Sequence, residues 1–360
     1  MISSGLCFLN GIRRPFRGPD YHSLWATQRG ADHGLPHTVP GVTLNRLCGS
    51  GLEAVGAAAR AIRADEIALA LSGGVESMTR APFVMGKAEA SFDRRQELED
   101  TTMGWRFVNP AFDAAYGTET MPRTGENVAE HYGISRADQD AFALRSQQRA
   151  AAAQRNGFFA EEIVPVTVPG TRKGETTEVS VDEHPRADTT IEALGGLKPL
   201  FGPGGTVTAG NASGINDGAA AMIVASEGAA KEHGLTPRAR ILGLACVGVE
   251  PRVMGIGPAP ATQKLIARLR LRIEDFDAIE INEAFASQGL AVMRELGLPE
   301  DAPFVNANGG AIALGHPLGM SGARIAMTLV HQLEKVRGRR GLATLCIGVG
   351  MGLALAVERI

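Results

Sequence analysis

Two segments, SGLEAVGAAARAIRADEIALALSGG starting at Ser50 and SGARIAMTLVHQLEKVRGRRGLATLCIGVG starting at Ser321, run through one order: Ser-Gly, an apolar helical run, a charged turn, a strand, a glycine turn. An internal repeat of this kind, carried by pattern more than identity, predicts two similar α/β halves whose equivalent strand ends can face one active site. Around the first copy, VTLNRL reads as a strand, GLEAVGAAARAI as a helix and EIALALS as a buried parallel strand, together one βαβ unit. Between about Met78 and Pro203 the alternation gives way to polar sequence holding a long helix, RADQDAFALRSQQRAAAAQ, with Ser135 and Asp138 spaced as a capping box. That stretch reads as an inserted domain. Alternation resumes with GAAAMIVAS, ARILGLACVGV, DAIEI, GLATLCIGV and LALAVE as strands, the last two close enough to pair as a hairpin.

Composition enters as a filter on function. The chain has 360 residues, 44% hydrophobic and 21% charged, enough for a large core divided among two or three domains. A formal charge of -3 and the lack of a Lys/Arg-rich run exclude a polyanion-binding surface, so no nucleic-acid partner is expected. The N-terminus has no sustained apolar signal region and no run of eighteen apolar residues occurs, so no membrane partner is expected and the cytoplasm is the expected location. Cys7, Cys48, Cys246 and Cys346 lack CxxC spacing, which argues against structural zinc and a disulfide framework.

Reactive groups gather at predicted strand ends: Cys48 in LCGSG, His316 in GGAIALGHPLGMSG, Cys346 in CIGVGMG, and Asn282 with Glu283 in INEAFA. Cys48 stands at a predicted helix N-terminus, where unsatisfied N–H groups and the helix dipole favour a thiolate and lower its pKa. His316 is the histidine best placed to take its proton. Bland readings stand beside these. Free cysteine is commonly a small buried hydrophobe, Asn282 could cap the following helix, and Glu283 could serve that helix dipole. CGSGLEA also fits a loose dinucleotide fingerprint, although Glu53 would then place a carboxylate near a pyrophosphate.

Seven ordered motifs, LNRLCGSGLEAV, GGVESMTRAPF, TAGNASGINDGAAA, GIGPAP, NEAFA, NGGAIALGHPLGMSGAR and CIGVGMG, resemble the motif set of the thiolases from about Val39 to Ile360. The resemblance implies an α/β thiolase fold of two βαβαβαββ halves in five layers with an inserted loop domain. On that reading residues 1–78 and 216–237 form the N-terminal half, 79–215 the CoA-binding loop domain and 238–360 the C-terminal half. It implies that Cys48 is acylated, His316 activates it, Cys346 is a second acid/base, Asn282 positions a water with His316 as one oxyanion hole, and the N–H groups of Cys48 and Gly348 form another. Met121, Arg186, Ala209 and Ser213 match positions that touch coenzyme A, which is a co-substrate; no metal and no permanently bound cofactor are implied. Small acyl-CoA molecules are the expected ligands and a homodimer or homotetramer the expected assembly.

Within the family, DTTMGWRFVNP, APFVMGKA and TLNRLCGSGLEAVG resemble the 3-oxoadipyl-CoA thiolases, with a general acetyl-CoA acetyltransferase as the alternative. A substrate ending in a carboxylate wants a cation, and Arg80, Lys87, Arg106 and Arg123 are available. About 30 residues separate CFLNGIRRPFRG, which resembles the family's opening strand and turn, from TLNRLCGSG, where members place a helix, a strand and another helix. The shortened front is expected to leave sheet surface open and to weaken or abolish activity.

Overall fold

The helices of the two repeated segments, Ser50–Arg63 and Leu318–Val336, pack directly on one another, and their shared Ser-Gly start explains how. A Cβ on Gly51 would lie 2.7 Å from the Ala323 backbone nitrogen, and one on Gly322 would collide with the Leu52 backbone. Glycine on both sides lets the helices approach at backbone distance. Leu52, Val55, Ala59 and Ile62, at spacings of three and four, form the buried stripe of the first helix.

The chain is described as a computed structural model covering residues 35–170, 172 and 174–360, with residues 4–7 as backbone. In chain order the strands are β1 (Ser4–Cys7), β2 (Leu69–Ser77), β3 (Phe83–Met85), β4 (Leu98–Asp100), β5 (Val166–Pro169), β6 (Thr176–Val179), β7 (Asp217–Ser226), β8 (Ala239–Gly248), β9 (Ala278–Ile281), β10 (Arg340–Ile347) and β11 (Met351–Arg359). Seven of them make one sheet in the order β2-β7-β1-β8-β11-β10-β9, and two small hairpins, β3-β4 and β5-β6, lie in the inserted segment. β1 pairs antiparallel with β7 from the first half and β8 from the second, so the two halves share a continuous sheet. The expected terminal hairpin is present: β10 and β11 pair antiparallel up to Ile347↔Met351, leaving Gly348, Val349 and Gly350 to turn the chain. Val349 and Gly350 both have positive φ there, 70° and 95°.

Both faces of the C-terminal strands are covered, which is why they read as near-continuous apolar runs. Leu353, Leu355 and Val357 face a core with Leu52, Val55, Ile325 and Leu329, while Ala354 and Ala356 face one with Leu265, Ile279 and Leu290. In the inserted segment the long helix is Arg136–Arg155, and its capping box forms: Ser135 Oγ accepts the Asp138 N–H at 3.1 Å and Asp138 accepts the Ser135 N–H at 3.2 Å. No helix among the described residues is long and apolar enough to cross a membrane.

Two expectations need correction. VTLNRL is not a strand; a strand needs a ladder partner, and here only an isolated bridge joins Arg46 and Cys48, with Val42 exposed. EIALALS does become β2, but β2 runs antiparallel to β7 and is partly exposed, at Leu69 (37%), Leu71 (46%) and Val75 (61%). Among the described residues β7 is the one strand it borders, so half of its ladder and part of one face have no described cover. The expectations for the opening turn and for the Cys7 side chain lie outside the described residues.

Candidate active site

Cys48 stands two residues before its helix because the chain reverses at Leu47. Leu47 is in the left-handed region, φ 49°, unusual for a non-glycine residue. Ser50 fixes this turn, its Oγ accepting the Arg46 N–H at 2.9 Å and donating to the Leu47 carbonyl at 2.7 Å. The two glycines around it face protein, Gly49 toward the Ile347 side chain and Gly51 toward Ala323. Glu53 is ion-paired with Arg46 at 3.3 Å and with Arg60. CGSGLEA therefore serves packing and an ion pair, and the dinucleotide reading is not supported.

The half-buried Cys48 thiol is pushed up to about 11, chiefly by desolvation, with the Glu76 carboxylate adding to it. The backbone N–H groups of Gly348 and of Cys48 pull the other way, without winning. This corrects the expectation of a lowered pKa. A helix N-terminus contributes about 1 kcal/mol, and the cost of taking a charge out of water exceeds it here.

His316 precedes the second repeated helix. Its N–H donates to Asn216 Oδ1 at 3.1 Å, and the preceding Gly315 has φ 92° with no room for a side chain beside Asn216. Its Nδ1 is 2.6 Å from Ser321 Oγ, which donates to the Pro317 carbonyl at 2.9 Å. Ser321 has one proton to give, so it accepts from His316 Nδ1–H. The network thus assigns the tautomer and leaves Nε2 as the unprotonated, accepting nitrogen. Burial, and next the Arg324 charge, push the imidazole down to about 4. It is a neutral base at physiological pH.

Asn282 is buried, its N–H donating to the Thr344 carbonyl at 3.0 Å and its Nδ2 lying 3.5 Å from His316 Nε2. Its Oδ1 is buried without a protein partner, a position that suits a water. Asn282 is not a helix cap, because the following helix Ala286–Glu295 is capped at Phe285. Glu283 is also not at a helix terminus of its own; its carboxylate accepts from Ser146 Oγ (2.6 Å), Asn306 Nδ2 (2.8 Å) and the Ile312 N–H (3.2 Å), tying the inserted helix to the core. Cys346 is fully buried, its thiol raised by burial and next by Cys48. The two thiols are near enough to oppose each other's ionisation.

Of the residues expected to touch coenzyme A, Met121 packs beside Cys346 and Phe285, its sulfur 3.6 Å from where a Cβ on Gly348 would stand. The Ser213 N–H donates to the Ala284 carbonyl at 3.0 Å, two residues from Asn282. Ala209 and Arg186 lie on exposed surface, the Arg186 N–H bonded to Gln147 Oε1 at 2.8 Å. Sequence reasoning missed Ser321, Asn216 and Glu76. Only Ser321 had a readable signal, one and a half helical turns past His316 in GHPLGMSG.

The descriptions of two family models match this chain: Thiolase, N-terminal domain over residues 22–228, and Thiolase, C-terminal domain over residues 235–359. A beta-ketoadipyl-CoA thiolase from Pseudomonas aeruginosa is 67% identical over 327 residues, 91% of this chain and 81% of the relative. An Escherichia coli K12 protein described as 3-oxoadipyl-CoA/3-oxo-5,6-dehydrosuberyl-CoA thiolase is 62% identical over the same shares. The crystal structure of the Bacillus anthracis acetyl-CoA acetyltransferase superposes with a TM-score of 0.85 at 42% identity, covering 93% of this chain and 83% of that one. With its two halves matched by the two thiolase models, the chain belongs to the thiolase family of acyltransferases.

Proposed function

We propose that this thiolase cleaves 3-oxoadipyl-CoA with coenzyme A to give succinyl-CoA and acetyl-CoA, through an acyl thioester on Cys48. The substrate assignment is supported by the similarity to the Pseudomonas aeruginosa and Escherichia coli relatives, whose descriptions name it. The observation that carries the chemistry is the buried Ser321–His316–Asn282 chain, 2.6 Å and 3.5 Å long in its two contacts, with Asn282 Oδ1 left without a protein partner.

With Cys48 a thiol and His316 a neutral imidazole at rest, the proton moves as the bond forms. His316 Nε2 takes it while sulfur attacks the 3-keto carbon. The oxygen of that carbon develops negative charge against the N–H groups of Cys48 and Gly348, and a donor so placed is worth about 3 kcal/mol. Collapse breaks the Cα–Cβ bond and acetyl-CoA departs as an enolate, its oxygen facing Asn282 and His316, while Cys346 protonates its carbon. Incoming CoA gives its thiol proton to Cys346, its sulfur attacks the acyl group, and His316 returns the first proton to Cys48. Both acid/base groups end as they began. Coenzyme A is a co-substrate on this reading, Met121 and Ser213 line its path, Arg186 and Ala209 lie farther along it, and the working form is a homodimer or homotetramer in the cytoplasm.

Intact mass after incubation with 3-oxoadipyl-CoA should show one succinyl adduct on Cys48. Cys48→Ala should lose it and turnover by about 10³-fold or more, whereas Cys346→Ala should keep an adduct from an acyl-CoA and lose turnover. Equal labelling of wild type and Cys48→Ala would overturn the nucleophile, and a folded wild type with no adduct would make this a non-catalytic relative.

A further inference from the structure

A narrow crevice opens beside the Gly348 turn, lined by Trp105, Tyr116, Glu119, Met121, Arg252 and Val349 among others. Val349 follows Gly348, where a Cβ would stand 3.3 Å from the Leu47 side chain and 3.6 Å from the Met121 sulfur, so the crevice begins beside the turn that carries Cys48. Trp105 and Tyr116 on this lining both pack against Phe112 as tilted ring pairs, with centroids 5.2 and 5.1 Å apart, and Met121 and Val349 line the crevice with them. Arg252 is the cation among the described residues that line it.

Arg252 is held in a fixed orientation. Glu119 accepts from its Nη2 at 2.9 Å and its Nε at 3.2 Å, taking one edge of the guanidinium. Asn127 Nδ2 donates both to Glu119, at 2.6 Å, and to the Arg252 carbonyl, at 3.0 Å. Trp105 Nε1 donates to the Glu119 carbonyl at 3.1 Å, joining the aromatic wall to the same unit. An arginine has five donors in a planar fork, so with one edge engaged its Nη1 edge stays available to a second carboxylate.

We infer that Arg252, oriented by Glu119 and Asn127, receives the distal carboxylate of the acyl chain, with the aromatic wall covering the methylenes between it and the keto carbon. The inference rests on the proposed 3-oxoadipyl-CoA activity and names the residue that selects for it. The cations singled out from sequence fit less well. Arg123 is paired with Glu130 at 3.6 Å and lies over the Phe201 ring at 5.4 Å, and Lys87 and Arg106 line no part of the crevice, whereas the equally exposed Arg252 does and is fixed by Glu119.

The test compares 3-oxoadipyl-CoA with 3-oxohexanoyl-CoA, a chain of equal length that ends in a methyl group. The ratio of their kcat/KM values reads the carboxylate alone. Wild type should favour the dicarboxylate; Arg252→Gln should lower the ratio about 10- to 100-fold, the usual range for one charged hydrogen-bonding partner. Arg252→Lys, which keeps the charge but not the fork, should fall between, and it carries the test if the glutamine variant does not fold. A ratio unchanged in both variants, with wild type still favouring the dicarboxylate, overturns the role of Arg252 and leaves the activity standing. A wild type indifferent to the carboxylate overturns the substrate assignment itself.

Discussion

The strand that follows the paired helix is β2 in the N-terminal half and β10 in the C-terminal half, and the two live in different surroundings. β10 lies between β11 and a parallel neighbour, β9, and is buried over nearly its whole length. β2 borders β7 alone among the described residues, and Leu69, Leu71 and Val75 reach solvent. Both are apolar in sequence. The difference teaches that apolar pattern sets which residues seek cover, while the partners that supply it are decided elsewhere in the chain.

The sharpest way to break that comparison is to remove one leucine from each strand. Leu345→Ala, at a fully buried site, should cost about 3–5 kcal/mol in denaturant unfolding, and Leu71→Ala less than about 1 kcal/mol. Equal losses would mean that β2 is covered in solution as well as β10 is. A smaller effect tests where the halves agree. Gly51→Ala and Gly322→Ala both press a methyl group into the partner helix backbone, and each should lower stability by about 1–3 kcal/mol. A harmless change at either glycine would show that the contact is less close than its symmetry requires.

The smallest effect is one of pH, and it belongs to the C-terminal half, because the Leu318–Val336 helix carries a histidine and the Ser50–Arg63 helix does not. His331 is buried with Nδ1 3.2 Å from Glu162 and Nε2 3.0 Å from Glu161, and its ring stacks on Phe158 at 4.6 Å. Both nitrogens meet carboxylates, so the imidazolium is favoured and its pKa is raised even against burial. A raised folded pKa stabilises fully below the ordinary histidine value and loses that contribution as pH rises through the folded value. His316 has the opposite sign: held down to about 4, it subtracts stability as pH falls from about 6.5 toward 4, where the unfolded chain takes a proton that the folded chain refuses. Thermal melts of His331→Gln should therefore fall furthest below wild type at acidic pH and approach it at alkaline pH. A deficit that does not vary with pH would remove the charge from the account.

How much of this was legible depended on whether the signal was local. The Ser135 capping box, the β10-β11 hairpin and the Ser-Gly repeat each need only nearby residues, and each is present. The strand reading of VTLNRL and the buried parallel reading of EIALALS depended on neighbours that sequence periodicity does not name. The Cys48 pKa failed for a related reason: a helix N-terminus can be read along the chain, but the burial that outweighs it, and the Glu76 carboxylate that adds to it, depend on segments distant in sequence. Arg252 escaped notice because its value lies in where Glu119 and Asn127, more than a hundred residues away, make it point.

A cysteine that rests as a thiol has a consequence outside its own reaction. Peroxides and soft electrophiles are attacked by the thiolate, and at neutral pH a thiol held up near 11 offers them almost none. The site is therefore quiet toward oxidants until an acyl-CoA arrives and gives the Cys48 proton somewhere to go. Oxidative damage should fall first on other sulfurs of the chain and spare the one on which turnover depends.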